Sequence, residues 1–183
     1  MATIALISVA VLALLVAVLL GALLELYRDV RQVRDALGIL DRPLNVDIGP
    51  VAGTRPSAHG LPRALDSAAS AVVLFLSPER CGTCRALAAG LGSPLPASLW
   101  VVLEARDAAS ATEFLDAYGL AAAGRDGRII VDLAGTIAGR IGLTTTPVGL
   151  HLQNGVLTGA TTVPSSRYLT SVLPMPIRLR HAG

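Results

Sequence analysis

Lysine is absent from this 183-residue chain, so all 15 basic residues are Arg, and against 13 acidic residues the formal net charge is only +2. With no localised basic patch, that balance argues against a nucleic-acid partner. Aromatic residues make up 3% of the chain and hydrophobic residues 52%, so any core must be built from Ala, Val, Leu and Ile. That suits α/β layers better than an aromatic binding face. The three histidines, His59, His151 and His181, are far apart and none stands at metal-ligand spacing from another, so no metal is expected. The only cysteines are Cys81 and Cys84, which excludes a scattered disulfide framework and gathers all thiol chemistry in one place. There is no internal repeat and no long low-complexity tract.

What the chain does have begins with a long apolar run. Thr3 to Leu24 is an uncharged stretch of 22 residues. As a helix rising about 1.5 Å per residue it is long enough to cross a hydrocarbon core of about 30 Å. A cleavable signal peptide would want a basic flank, a shorter apolar core and an A-x-A-like site, so residues 3–24 read as a transmembrane anchor. Leu26, Val30, Val33, Leu37 and Leu40 then recur at steps of four and three between Arg28, Arg31 and Arg34, predicting a helical stalk over residues 25–42 that continues to about Leu40. Two heptads are too few for a stable coiled coil, and surface contact or docking is the plainer use. Residues 43–64 are dense in Gly and Pro and read as a linker, with a short strand near Val46–Ile48.

Once the apolar segment and stalk are set aside, about 140 residues remain, enough for one domain of ordinary size. It is expected over residues 65–173, with a flexible tail at 174–183. Ser70–Leu76 has the length and β-branched content of a strand buried on both faces. Cys81 follows it after four intervening residues, and Arg85–Leu91 continues a helix that stops at Gly92-Ser93-Pro94. Leu99–Leu103 is the next strand, and the β-α-β order predicts a parallel pair. Asp107 or Ser110 can cap a helix to about Tyr118, Arg128–Asp132 is a short strand, and a weak helix runs to Gly142. Val148–Gln153, the turn pair Asn154-Gly155 and Val156–Val163 form a hairpin. Ser165 or Ser166 caps a last helix to about Leu173.

Cys81-Gly82-Thr83-Cys84 carries the chemistry. A C-x-x-C that follows a buried strand and opens a helix places its first sulfur beside unpaired backbone N–H groups at the positive end of the helix dipole, where a thiolate is favoured. Arg80 and Arg85 are candidates for lowering that pKa further, and the spacing puts Cys84 one turn away, within disulfide range. Thiol–disulfide exchange follows, with Cys81 attacking and Cys84 resolving, and it needs no cofactor. A zinc half-site would lack two ligands. A structural staple would close too small a ring to constrain the unfolded chain much. Thr146-Pro147, just before the hairpin, is a candidate cis bond exposing a backbone edge to an extended peptide. His151 reads as an ordinary strand histidine, Trp100 as core, and Glu79 as a solvated turn residue, although it is the carboxylate nearest the cysteines in sequence.

The order strand, C-x-x-C, helix, strand, helix, Thr-Pro, hairpin, helix resembles the thioredoxin superfamily. The apolar anchor, the Arg-bearing stalk, the Leu-Phe-Leu-Ser-Pro run before Cys81 and the Trp-Val-Val-Leu strand resemble membrane-bound TlpA-like proteins, particularly the MauD type. Those are implicated in handling disulfides during maturation of periplasmic methylamine dehydrogenase. The resemblance implies an α/β thioredoxin-like fold, a mixed sheet flanked by helices behind a single N-terminal transmembrane helix. It also implies Cys81 as attacking thiol, Cys84 as resolving thiol, and Thr146 with cis-Pro147 as the backbone that faces a substrate. The chain departs from thioredoxins at Arg80 and Thr83, where they have Trp and Pro, and at Phe75, where they have a buried Asp. The implied partners are exported proteins carrying thiols or disulfides and an electron partner in the membrane or in solution. The implied location is the cell membrane with the domain outside the cytoplasm, whereas Arg28, Arg31 and Arg34 beside the anchor point the other way by the positive-inside rule. A non-catalytic assembly subunit and a thiol peroxidase are the rival readings.

Overall fold

The computed structural model describes residues 2–36, 42–92 and 94–173, with side chains from residue 12 to 29 in the first of these. It divides into two units, Met1–Arg42 and Pro43–Gly183. The first holds α1, Ala2–Ala36, a single helix of 35 residues that passes from the apolar run into the Arg-bearing stretch without a break. Among the described residues no helix is long and apolar enough to cross a membrane. Residues 12–29 include Glu25, Arg28 and Asp29, and the anchor expected over 3–24 begins before them. Leu37 and Leu40 of the stripe, and the tail at 174–183, lie outside the described residues.

In the second unit the strands are β1 (Asn45–Val46), β2 (Ser70–Leu76), β3 (Leu99–Ala105), β4 (Ile129–Leu133), β5 (Val148–Gln153) and β6 (Val156–Thr162). They form one mixed sheet in the order β1-β6-β5-β2-β3-β4. The helices are α2 (Gly82–Gly90), α3 (Ala108–Ala117), α4 (Ala121–Arg125), α5 (Thr136–Ile141) and α6 (Ser166–Val172). β2 lies inside the sheet, parallel to β3 and antiparallel to β5. Helices and turns cover both of its faces, so every residue from Ala71 to Leu76 is buried, which is why the run is continuously apolar.

Strand alternation sends Val72, Leu74 and Leu76 into one cluster with Cys84, Leu87 and Ala88 of α2. Ala71, Val73 and Phe75 join a second cluster with Ile48, Val51, Leu61 and Leu150. The stretch read as linker is thus tied into the core. Its Pro and Gly residues shape 3-10 turns at Gly49–Val51 and Pro56–His59, each with Pro at its first or second position, and a third follows at Arg63–Ser67. The expected strand there is shorter, Asn45–Val46, because only these two residues pair with β6.

Asp107 caps α3 in a capping box with Ser110, and Ser165 caps α6. The hairpin turn places Asn154 and Gly155 at φ of 50° and 74°. A Cβ on Gly155 would stand 1.9 Å from the Asp66 carbonyl oxygen, so only glycine fits. Helix α4 has no counterpart in the sequence pattern, since Ala-Ala-Ala-Gly-Arg carries no periodicity.

Candidate active site

Cys81 is the N-cap of α2, in extended backbone conformation, and its sulfur accepts the Cys84 N–H at 3.2 Å. The cap position thus falls to a sulfur where Ser, Thr, Asp or Asn is usual. The Cys81 carbonyl also accepts the Arg85 N–H, starting the helical ladder. Cys81 is half-buried, whereas Cys84 is sealed inside the first cluster at 0% exposure. Both are free thiols.

Cys84 Sγ receives the Ser77 N–H at 3.5 Å. Burial, and then its hydrogen bond with Cys81, push the Cys84 thiol up to about 12, against smaller lowering contributions from the Ser77 N–H and the Thr146 side chain. The pair is therefore asymmetric: one sulfur at the surface on a helix cap, the other dry and held protonated.

The Thr146–Pro147 bond is cis. The Thr146 carbonyl oxygen stands 3.6 Å from Cys81 Sγ as its acceptor, and the Pro147 carbonyl accepts the Val163 N–H at 3.0 Å at the end of β6. The cis segment thus lies against the sulfurs, 65 positions downstream of Cys81.

Arg80 and Arg85 flank the cysteines but direct their guanidinium groups elsewhere. Arg80 pairs with Glu104 on β3. Arg85 Nη1 donates to the Pro78 carbonyl at 2.6 Å. Glu79 is exposed and faces Arg106 at 3.7 Å. Phe75 belongs to the cluster on the far face of β2 from Cys84. His151 Nε2 lies 2.9 Å from Thr161 Oγ1, which also accepts from Tyr168 Oη at 3.3 Å, and burial holds its pKa below the ordinary value. Trp100 packs on the second cluster with the Arg128 guanidinium 5.0 Å over its ring. Among the described residues no three His, Cys, Asp or Glu side chains stand together as a metal cluster.

Two members of this arrangement escape a reading of the sequence, Ser77 as donor to the buried sulfur and Glu104 as partner of Arg80. Glu104 left a trace, a lone charge near the end of an otherwise apolar strand. A groove of about 300 Å³ opens beside the Pro78–Arg80 turn, floored by Leu103, Phe114 and Tyr118.

The connectivity is a β-α-β unit with the cysteines at its crossover helix, a cis Thr-Pro segment, then an antiparallel hairpin on the other side of β2. Several solved structures are similar to the chain. A secreted Mycobacterium tuberculosis disulfide oxidoreductase, described as homologous to E. coli DsbE, is 22% identical with a TM-score of 0.44, over 66% of this chain and 91% of its own. M. tuberculosis DsbF, in mixed oxidised and reduced forms, is 18% identical with a TM-score of 0.40, over 56% of this chain and 79% of its own. A thioredoxin-like protein from Parabacteroides distasonis is 14% identical with a TM-score of 0.43, over 57% and 79%. No family model and no curated protein matches the chain.

Proposed function

We propose that the chain is a membrane-anchored thiol:disulfide oxidoreductase that forms, reduces or isomerises disulfides in exported proteins. The observation that carries this reading is the asymmetry of the pair: Cys81 Sγ on the cap of α2 and half-buried, Cys84 sealed behind it. In the reducing direction the Cys81 thiolate attacks one sulfur of a client disulfide, forming a mixed disulfide and releasing the other client sulfur as a thiolate that takes a proton. Cys84 then loses its proton and attacks Cys81 Sγ. The mixed disulfide breaks, the second client thiol leaves, and two electrons have passed from the enzyme pair to the client. The oxidising direction is the reverse, and an electron partner in the membrane or in solution resets the pair.

In this reading Thr146 and Pro147 offer their backbone to an extended client segment beside Cys81. No metal or organic cofactor takes part. The uncharged 22 residues from Thr3 to Leu24, inside α1, support an anchor in the cell membrane, and the family resemblance supports a thiol domain outside the cytoplasm. The TlpA-like, MauD-type resemblance supports the same assignment.

Replacing Cys84 by Ala in the full chain should leave client proteins trapped on Cys81 as mixed disulfides, visible as reducible high-mass bands. An empty trap, together with full function in a Cys81→Ala, Cys84→Ala double variant, would replace this reading with a non-catalytic assembly subunit. Labelling Cys81 in intact cells with a membrane-impermeant thiol reagent tests the topology, since a labelled thiol excludes a cytoplasmic domain.

A further inference from the structure

The turn between β2 and α2 is held by a side chain at each of its three residues. The Pro78 carbonyl accepts from Arg85, Glu79 faces Arg106, and Arg80 pairs with Glu104. These clamps are unequal. Arg80 and Arg106 side chains are each 75% exposed, where solvent screening leaves an ion pair weak. The Arg85 bond runs from a charged donor to the carbonyl of a buried residue at 2.6 Å, a stronger class of hydrogen bond. The turn's own backbone closure among the described residues is one bond, Arg80 N–H to the Ser77 carbonyl at 3.3 Å.

We propose that Arg85 is a positioning residue for the thiol pair. By donating to the Pro78 carbonyl it ties the first turn of α2 to the turn that precedes Cys81. It thereby holds Cys81 Sγ over the Cys84 N–H and keeps the Ser77 N–H on Cys84 Sγ. Side chains on a helix lean toward its N-terminus, and Arg85 folds back over Gly82, with Nη2 3.8 Å from where a Cβ there would stand. The residue directly before Cys81 is the exposed Arg80, and a polar tether from the helix itself fixes the turn. The inference rests on Cys81 as the attacking thiol, and it gives Arg85 a mechanical role in place of a through-space charge effect.

The two roles separate on salt and on a neighbouring variant. In the reduced full chain, alkylation of Cys81 by iodoacetamide is followed against pH for wild type, Arg85→Met and Arg80→Met, at low salt and at about 1 M NaCl, where the Debye length is about 3 Å. Positioning predicts that Arg85→Met slows alkylation at pH 7 by about three- to tenfold, a displacement of the profile by about half to one pH unit, equally at both salt concentrations. Arg80→Met should change it less than about twofold, the scale of an exposed pair. Amide hydrogen exchange at Arg80 should speed up in Arg85→Met alone, a readout that holds even if the variant melts lower. An unchanged profile in Arg85→Met, or a loss that disappears at 1 M NaCl, overturns the proposal. No disulfide substrate enters the assay, so an empty mixed-disulfide trap would sink the exchange reading and leave this result standing.

Discussion

The two faces of β2 are packed with the same material and carry different chemistry. On one, Val72, Leu74 and Leu76 meet Leu87 and Ala88 of α2, Ala111 of α3 and Leu169 of α6, with Cys84 among them. On the other, Val73 and Phe75 meet Ile48, Val51, Leu61, Leu150 and Ile141. Both are dry aliphatic layers, and neither brings a carboxylate to the buried sulfur. The thiol chemistry comes from the start of α2, where a sulfur serves as helix cap, and the layer beneath contributes desolvation. The thiol face therefore tunes its site by exclusion of water, while the far face packs the hairpin and the turns of residues 48–65 against the sheet.

The largest expected effect tests that contrast at the sulfurs. A Cys84 pKa raised from 9.0 to about 12 leaves about a thousandfold less thiolate than an ordinary cysteine below pH 9, so iodoacetamide on the reduced protein at pH 8 should modify Cys81 alone. Peptide mapping by mass spectrometry reads it, and comparable labelling of both thiols would break the contrast. The linkage sign follows: the folded pKa lies above the unfolded one, so this contribution to stability is intact below about pH 9 and is lost as pH rises toward about 12. Next come two fully buried leucines, one on each face. Leu74→Ala and Leu150→Ala should each lower the unfolding free energy in urea by about 2–5 kcal/mol. Only Leu74→Ala, which opens the layer around Cys84, should also speed Cys84 alkylation.

A smaller effect belongs to the far face, where the hairpin turn meets Leu65 and its neighbours. Gly155→Ala must accommodate a Cβ 1.9 Å from the Asp66 carbonyl at φ 74°, and should cost about 1–3 kcal/mol or more in urea. Gly159→Ala, with nothing within 4 Å of its Cβ and an ordinary φ, should stay within about 0.5 kcal/mol of wild type.

Gly155 also marks where reading the residues succeeds and where it stops. The Asn154-Gly155 turn, the buried runs of β2 and β3, the cysteine-led helix and the cap of α3 were legible because each is a local signal. So was cis Thr146-Pro147, once joined to the C-x-x-C. What escaped depends on contacts between distant segments. The antiparallel pairing of Asn45–Val46 with β6 is one instance, and Leu61 and Val51 buried from a Gly- and Pro-dense stretch are another. In the site, Cys81 and Cys84 were plain. The Arg85 bond to Pro78 and the Glu104 partner of Arg80 were not, because where a long side chain points is decided by the fold around it.

The smallest effect compares the faces through acid. Asp107, which caps α3 over the thiol face, is held below the usual carboxylate range chiefly by the Ser110 backbone N–H and then by the Ser110 side chain. Asp66, beside the far-face turns, is lowered chiefly by the Ser57 side chain and then by its backbone N–H. For both, the folded pKa lies below the unfolded one, so their contributions are fully present above about pH 4 and are lost as pH falls further. Asp107→Asn keeps a capping oxygen that does not titrate. It should melt near wild type at pH 7 with a shallower fall in Tm under acid, whereas Asp107→Ala should melt lower at pH 7 as well. Hydrogen exchange assigns the loss: if acid frees the amides of α3 in wild type and not in Asp107→Asn, the thiol face opens through its own cap. If instead the acid limb is unchanged in Asp107→Asn and flattened in Asp66→Asn, the far face yields first, and the layer around Cys84 outlasts the one that carries no chemistry.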